Sequence, residues 1–319
     1  MLAANASLTY ICRGANPTDA LVGDIWGRTP SIALSCESNI RAAALSLSGH
    51  SVALVEEKQI SIWSTQTGQC CCKTPIRTIP KHLSFSQDEH ALVFVEGACD
   101  ASLWLWKQGY PRQSLSPQHS AALTALTCNN EARFAVTADT HGLIRVWRWK
   151  ELEEHGGVEH LYDIQQPGAV SSVMFQAQGR WFATASDDQT ARVYEAATGT
   201  QCYVFAHHAA VSHMLFSHDG HYLITASKDQ TITIWNLYEG QQLTRFICAA
   251  QIQTLLLSPD DAVLATTDEE RWITLWLWRT EDLEEEIAQS FPLDESGAPL
   301  PARAVLLRPF DVRPKEEPL

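Results

Sequence analysis

The stretch from residue 170 to residue 236 writes one pattern twice, at a constant offset of 41 residues. Val170, Phe175, Gly179, Ser186, Asp188 and Tyr194 recur as Val211, Phe216, Gly220, Ser227, Asp229 and Trp235. A fixed period of this length marks a chain of stacked structural repeats, and it constrains the fold more than any composition does. Each copy breaks into short apolar runs: Val170, Val173 and Phe175, then 181–185, then Ala191, Val193 and Tyr194, then 201–205. Gly and Asp sit between the runs, where turns need them. The spacing predicts four short strands per unit.

The unit extends along the chain. An aromatic residue closing the third strand is expected at Trp26, Trp63, Trp106, Trp147, Tyr194, Trp235 and Trp276, at intervals of 37, 43, 41, 47, 41 and 41 residues. Seven such positions predict seven units.

Three features of the two clearest copies carry a resemblance. They are the Phe-x-x-x-Gly hairpin, the Ala-Ser-x-Asp-Gln-Thr turn at 185–190 and 226–231, and the aromatic six residues after the Asp. The pattern resembles the WD40 repeat, although no Trp-Asp dipeptide occurs. The resemblance implies an all-β, seven-bladed WD40-like β-propeller forming a single domain over 1–311, followed by a disordered tail at 312–319. The first blade is expected from about 7–36 plus 302–311. The others are expected at about 41–74, 80–115, 119–166, 170–206, 211–248 and 252–291. Residues 7–36 supply only three strand candidates, and 302–311 repeats the apolar spacing of 252–261. The N- and C-terminal strands are therefore expected to share one blade and close the ring, leaving no open edge.

His207, Ser227, Asp229 and Trp235 suggest nucleophilic catalysis at first sight. The resemblance implies instead a structural network inside the blade, with Asp orienting His, His meeting the Ser hydroxyl, and the hydroxyl meeting the indole N–H. Partial networks are expected at Ser186, Asp188 and Tyr194, with Gln166 at the His position, and at His119 and Trp147, with His141 where the Asp belongs. Only the sixth blade is expected to be complete.

Composition narrows the function. The net charge of −14 argues against a nucleic-acid partner, which needs a basic footprint. No run of apolar residues reaches the length of a membrane span, so no membrane partner is expected. Nine cysteines with no Cys-x-x-Cys pair suggest reduced thiols and a cytoplasmic protein. No metal, cofactor or catalytic residue is expected: His213, His218 and His221 read as solvated, and the positions expected at the ring axis, including Arg41, Ile79 and Gln251, carry no carboxylate or histidine.

The expected function is a non-catalytic scaffold for other proteins or peptides, within a larger complex. A regulatory or sensor propeller serving a separate catalytic subunit is the alternative, as is an enzymatic or small-molecule-binding propeller. The face carrying the blade links and second-to-third-strand turns is expected to bind, through His141, Gln166, Asp187, His208, Lys228, Arg271 and Trp272, with Arg271-Trp272 as anchor. The acidic stretches 151–154 and 281–286 are expected on the other face, open to a basic partner.

Overall fold

The computed structural model describes residues 3–4, 10–14, 17–24, 31–46, 48–86, 88–115, 117–129, 133–150, 157–258, 260–269, 273–278 and 305–307. Its strands form seven four-stranded antiparallel sheets, each a simple meander of consecutive strands. The first blade is Ala3–Ala4, Tyr10–Gly14, Asp19–Asp24 and Ile32–Ser35 (β1–β4). The second is Ala42–Leu45, Ser51–Val55, Gln59–Ser64 and Cys70–Pro75 (β5–β8), and the third His82–Phe85, Leu92–Glu96, Asp100–Trp104 and Gln113–Ser114 (β9–β12). The fourth is Leu123–Cys128, Phe134–Asp139, Leu143–Lys150 and Gly157–Gln165 (β13–β16). The two clear sequence copies give the fifth, Val170–Phe175, Trp181–Ser186, Thr190–Glu195 and Gln201–Ala206 (β17–β20), and the sixth, Val211–Phe216, Tyr222–Ser227, Thr231–Asn236 and Gln241–Ile247 (β21–β24). The seventh is Ile252–Leu257, Val263–Asp268, Ile273–Leu277 and Val305–Leu307 (β25–β28). The architecture is that of a seven-bladed WD40-like β-propeller. No helix among the described residues is long and apolar enough to cross a membrane.

The core lies between the blades. Six hydrophobic clusters are each shared by two consecutive blades, from the first and second to the sixth and seventh. Among the described residues none joins the seventh blade to the first. Second strands therefore have both faces covered and read as runs of apolar or small residues, as in the buried Ser51–Val55 and in 92–95 of the third blade. Outer strands face solvent and are correspondingly mixed, as in Gln241–Ile247.

Two expectations about the strands are corrected. Val305–Leu307 pairs with Ile273–Leu277 as the outer strand of the seventh blade, while Ala3–Ala4 pairs with Tyr10–Gly14 as the inner strand of the first. Ala3–Ala4 gives the first blade its fourth strand, and of 302–311 the described part, Val305–Leu307, belongs to the seventh blade. The second correction is the aromatic of blade three. Trp104 stands opposite Leu92, as Trp63 stands opposite Val52, Trp147 opposite Ala135 and Trp235 opposite Leu223. Trp106 instead opens a short 3-10 turn, Trp106–Gln108. The motif Leu103-Trp-Leu-Trp106 places two tryptophans on one strand face, because side chains alternate with period two; only the pairing register decides between them. The expected Trp26 and the tail 312–319 lie outside the described residues.

Candidate functional site

The buried polar system begins with a threonine on the second strand of the fourth to seventh blades. Thr137, Thr184, Thr225 and Thr266 lie ten residues before Trp147, Tyr194, Trp235 and Trp276. The three indoles donate Nε1–H to the threonine hydroxyl at 3.0, 2.8 and 3.0 Å in the fourth, sixth and seventh blades. In the fourth, fifth and sixth blades a bulge in the pairing of third and outer strands falls beside the aromatic, at Val146/Trp147, Val193/Tyr194 and Ile234/Trp235. Bulges of this kind re-aim a side chain.

The fourth blade builds the longest network. His119 Nδ1–H donates to Asp139 Oδ2 at 2.8 Å, and Thr137 Oγ1 lies 2.7 Å from His119 Nε2. With Trp147 the four residues form one chain of hydrogen bonds. Asp139 also caps its turn, accepting from the amides of His141 and Leu143 at 2.9 and 3.1 Å. Burial pushes the His119 pKa down, and the bond to Asp139 opposes that without reversing it, so the ring is neutral. A neutral ring fits the geometry: Nδ1–H donates to the carboxylate and Nε2 accepts from Thr137.

The sixth blade differs from its expected network. Thr225, not Ser227, bridges His207 Nε2 at 3.0 Å and the Trp235 indole. Ser227 instead donates to the Ala209 carbonyl at 3.1 Å. Asp229 accepts from the His208 amide at 3.2 Å, from the Thr231 amide at 3.0 Å and from the Thr231 hydroxyl, rather than from the His207 ring. Burial lowers the His207 pKa to about 4, against a smaller pull upward from Asp229. Asp229 is pushed up by burial but held low on balance by its hydrogen bonds.

The fifth blade replaces histidine by Gln166, whose Nε2 donates to Thr184 Oγ1 at 2.7 Å and to the Tyr194 hydroxyl at 2.9 Å. Ser186 turns to the Ala169 carbonyl, and Asp188 pairs with Arg192 at 2.8 Å. The second blade uses a carboxylate as the hub: Glu56 accepts from Ser38 and Ser61, and Ser61 accepts the Trp63 indole N–H. Asp139 and Glu56 are hubs to which the repeat pattern does not point: it places the carboxylate at 141 in blade four and none in blade two. In the fourth to seventh blades the threonine ten residues before the aromatic is the signal that places the hydroxyl.

The fourth-blade constellation contains the residue types of acid–base catalysis but no access. The His119 and Asp139 side chains are 2% and 0% exposed, and Thr137 is fully buried. A substrate atom has no route to them, and the donors of this network are already bonded within the blade. Among the described residues no group of three or more His, Cys, Asp and Glu is placed to hold a metal. His218 is instead bonded to Asp261 of the next blade, Nδ1 to Oδ1 at 2.6 Å.

Of the residues expected to meet a partner, His141, Asp187, His208 and Lys228 are exposed. Asp187 and Lys228 form an exposed pair across two blades at 3.6 Å. Gln166 is only 2% exposed and belongs to the internal network, so it is not available to a partner. Arg271 and Trp272 lie outside the described residues, as do the acidic stretches 151–154 and 281–286.

The opposite face, where first-to-second and third-to-fourth strand turns gather, carries a cleft of about 280 Å³ between the fifth and sixth blades. Arg180 and Trp181 form one wall, His221 and Tyr238 the other, over a floor of Gly220 and the buried Leu237. The guanidinium of Arg180 lies 5.5 Å from the centre of the Trp181 ring, and the His221 and Tyr238 rings are 4.7 Å apart. A second Arg-Trp pair, besides the one expected at 271–272, thus stands at 180–181, which the 41-residue repeat aligns with His221-Tyr222.

Comparison with known proteins agrees with this geometry. Residues 158–195 and 199–236 match the family model described as WD domain, G-beta repeat. Each match begins on or just before the outer strand of one blade and ends just after the aromatic of the next. The chain is also 28% identical over 145 residues, 44% of its length, to the human protein named Pre-mRNA-processing factor 17, and equally to its mouse counterpart. That alignment spans 24% of each relative's own length.

Proposed function

We propose that this chain, a WD40-repeat β-propeller, serves as a non-catalytic scaffold that holds other proteins within a larger complex. One observation carries the reading: the His119, Asp139 and Thr137 groups of the fourth blade and the Glu56 and Ser61 groups of the second are bonded and buried inside their blades, while arginine and aromatic side chains such as Arg180 and Tyr238 stand on the surface. The first arrangement suits rigidity, and the second suits recognition.

The relatives are named for pre-mRNA processing, so an RNA-processing assembly is the first place to look for this chain. The expected cytoplasmic location stands in tension with that name. A net charge of −14 favours contact with the protein components of such an assembly over contact with the RNA. A basic partner at 151–154 and 281–286 belongs to the same proposal.

Affinity purification of the tagged chain, with and without nuclease, tests the reading. The expected result is a defined set of proteins retained after nuclease treatment. A chain that elutes alone under both conditions, or whose partners all depart with the RNA, overturns it.

A further inference from the structure

We propose that the cleft between the fifth and sixth blades docks a linear peptide in which a large apolar side chain neighbours an Asp or Glu. The inference rests on the scaffold reading and gives it a site.

Several features on both walls converge. The volume of about 280 Å³ is below the range of most small-molecule pockets and suits one large side chain with the backbone beside it. The floor is apolar and firm: Leu237 is 1% exposed, and Gly220 makes the turn at a φ of 73°. Gly220 also leaves no space for a side chain of its own, because a Cβ there would meet Gln176 and Gln178. Those two glutamines tie the blades together across the cleft, donating to the carbonyls of Gly220 and Asp219 at 2.6 and 3.2 Å. The walls are therefore preorganised, and binding needs little ordering of the backbone.

Charge selects the occupant. The Arg180 side chain is 70% exposed, and its one ion pair, Nε to Glu195 Oε1, is long at 3.6 Å. Its terminal nitrogens make no hydrogen bond among the described residues, so the guanidinium fork is open to a carboxylate and already steadied by Trp181. The carboxylate lining the cleft, Asp219, is engaged by the Ser217 hydroxyl at 2.6 Å and the His221 amide at 2.9 Å. An incoming anion thus meets the open terminal nitrogens of Arg180, beside a carboxylate, Asp219, that already accepts two hydrogen bonds. Tyr238, 73% exposed, stands opposite as the aromatic lid of the apolar site.

The test is panning of a random linear peptide library on the full chain, followed by titration of an enriched peptide labelled with fluorescein. Enriched sequences are expected to place Asp or Glu beside Phe, Leu, Ile or Trp. Arg180→Glu and Tyr238→Ala should each weaken binding about tenfold or more. A peptide with Lys in place of its carboxylate should recover binding to Arg180→Glu. Both substitutions are at exposed side chains, and unchanged thermal melting confirms that each variant is folded. Failure to enrich any peptide, enrichment without a carboxylate, or undiminished binding to folded Arg180→Glu overturns the proposal. So does self-association of the chain that Tyr238→Ala abolishes, since a second copy would then be the occupant. Partners retained by Arg180→Glu in the nuclease-treated purification would sink this site while leaving the scaffold reading standing.

Discussion

Asp139 reaches His119 from the strand position that Ser227 holds two blades on: Asp139 stands opposite Leu123, and Ser227 opposite Val211. The same place in the blade thus carries either a carboxylate that completes a four-residue network or a hydroxyl that closes on a neighbouring carbonyl.

The two aspartates consequently differ in cost. Asp139→Ala leaves a buried His119 N–H and two turn amides without acceptors, and is expected to lower stability by about 3 kcal/mol. Asp229→Ala removes turn and loop contacts nearer solvent and should cost about 1 kcal/mol. Urea unfolding of both variants compares them. A larger loss for Asp229→Ala would mean that the sixth blade, not the fourth, holds the completed network.

Thr225 and Ser227 are separated in the same way. Thr225→Val keeps the shape but strands the Trp235 indole N–H and His207 Nε2, an expected loss of about 2 kcal/mol. Ser227→Ala gives up the bond to Ala209 and one to the Asp229 amide, both at the strand end, with an expected loss of about 1 kcal/mol. Equal losses would undo the assignment of the threonine as the bridge.

The repeat was legible in the sequence because the apolar period and the turn residues recur at fixed offset, and seven blades follow from that. The network was legible only in type. Ser227 and Thr225 lie on one strand two residues apart, so both point to the same side, and only the recurrence of a threonine ten residues before the aromatic in blades four to seven separates them. Trp104 and Trp106 pose the same ambiguity. The exchange of Ser186 for Asp139 hides for another reason: the carboxylate stands two residues earlier than Asp188 and Asp229 do, and from that earlier place it bonds the histidine ring. The cleft was not legible, because its walls come from two blades and from turns the repeat aligns with one another rather than with a partner.

His207 gives the sixth blade a pH dependence. Its pKa falls from 6.5 to about 4 in the folded chain, because burial disfavours the imidazolium more than Asp229 favours it. Below pH 6.5 the unfolded chain takes a proton that the folded chain refuses until about pH 4. This contribution is fully present above pH 6.5 and is lost as pH falls toward 4. His207→Gln, copying what Gln166 does in blade five, should remove that share and flatten the acid limb of stability against pH. His119 and His213 are also lowered by burial and keep the same sign of slope in the variant. An acid limb as steep as that of the parent would show that His207 does not titrate across this range.

Asp261 sits with a φ of 59° and a side chain 4% exposed, at the hairpin position where the fifth and sixth blades have Gly179 and Gly220. A non-glycine residue is tolerated in this left-handed conformation because its carboxylate binds the preceding blade: it accepts from the His218 amide at 2.9 and 3.0 Å and pairs with the His218 ring. Two substitutions separate the backbone from the bond. Asp261→Ala keeps the strained φ and loses the contact, and should cost about 3 kcal/mol. Asp261→Gly loses the same contact but relieves the strain, and should cost about 1 kcal/mol less than the alanine variant. The order of stability, parent above glycine above alanine, is read from chemical denaturation. An alanine variant as stable as the glycine one would mean that the turn carries no strain, and that the tie between the sixth and seventh blades is the whole reason for the aspartate.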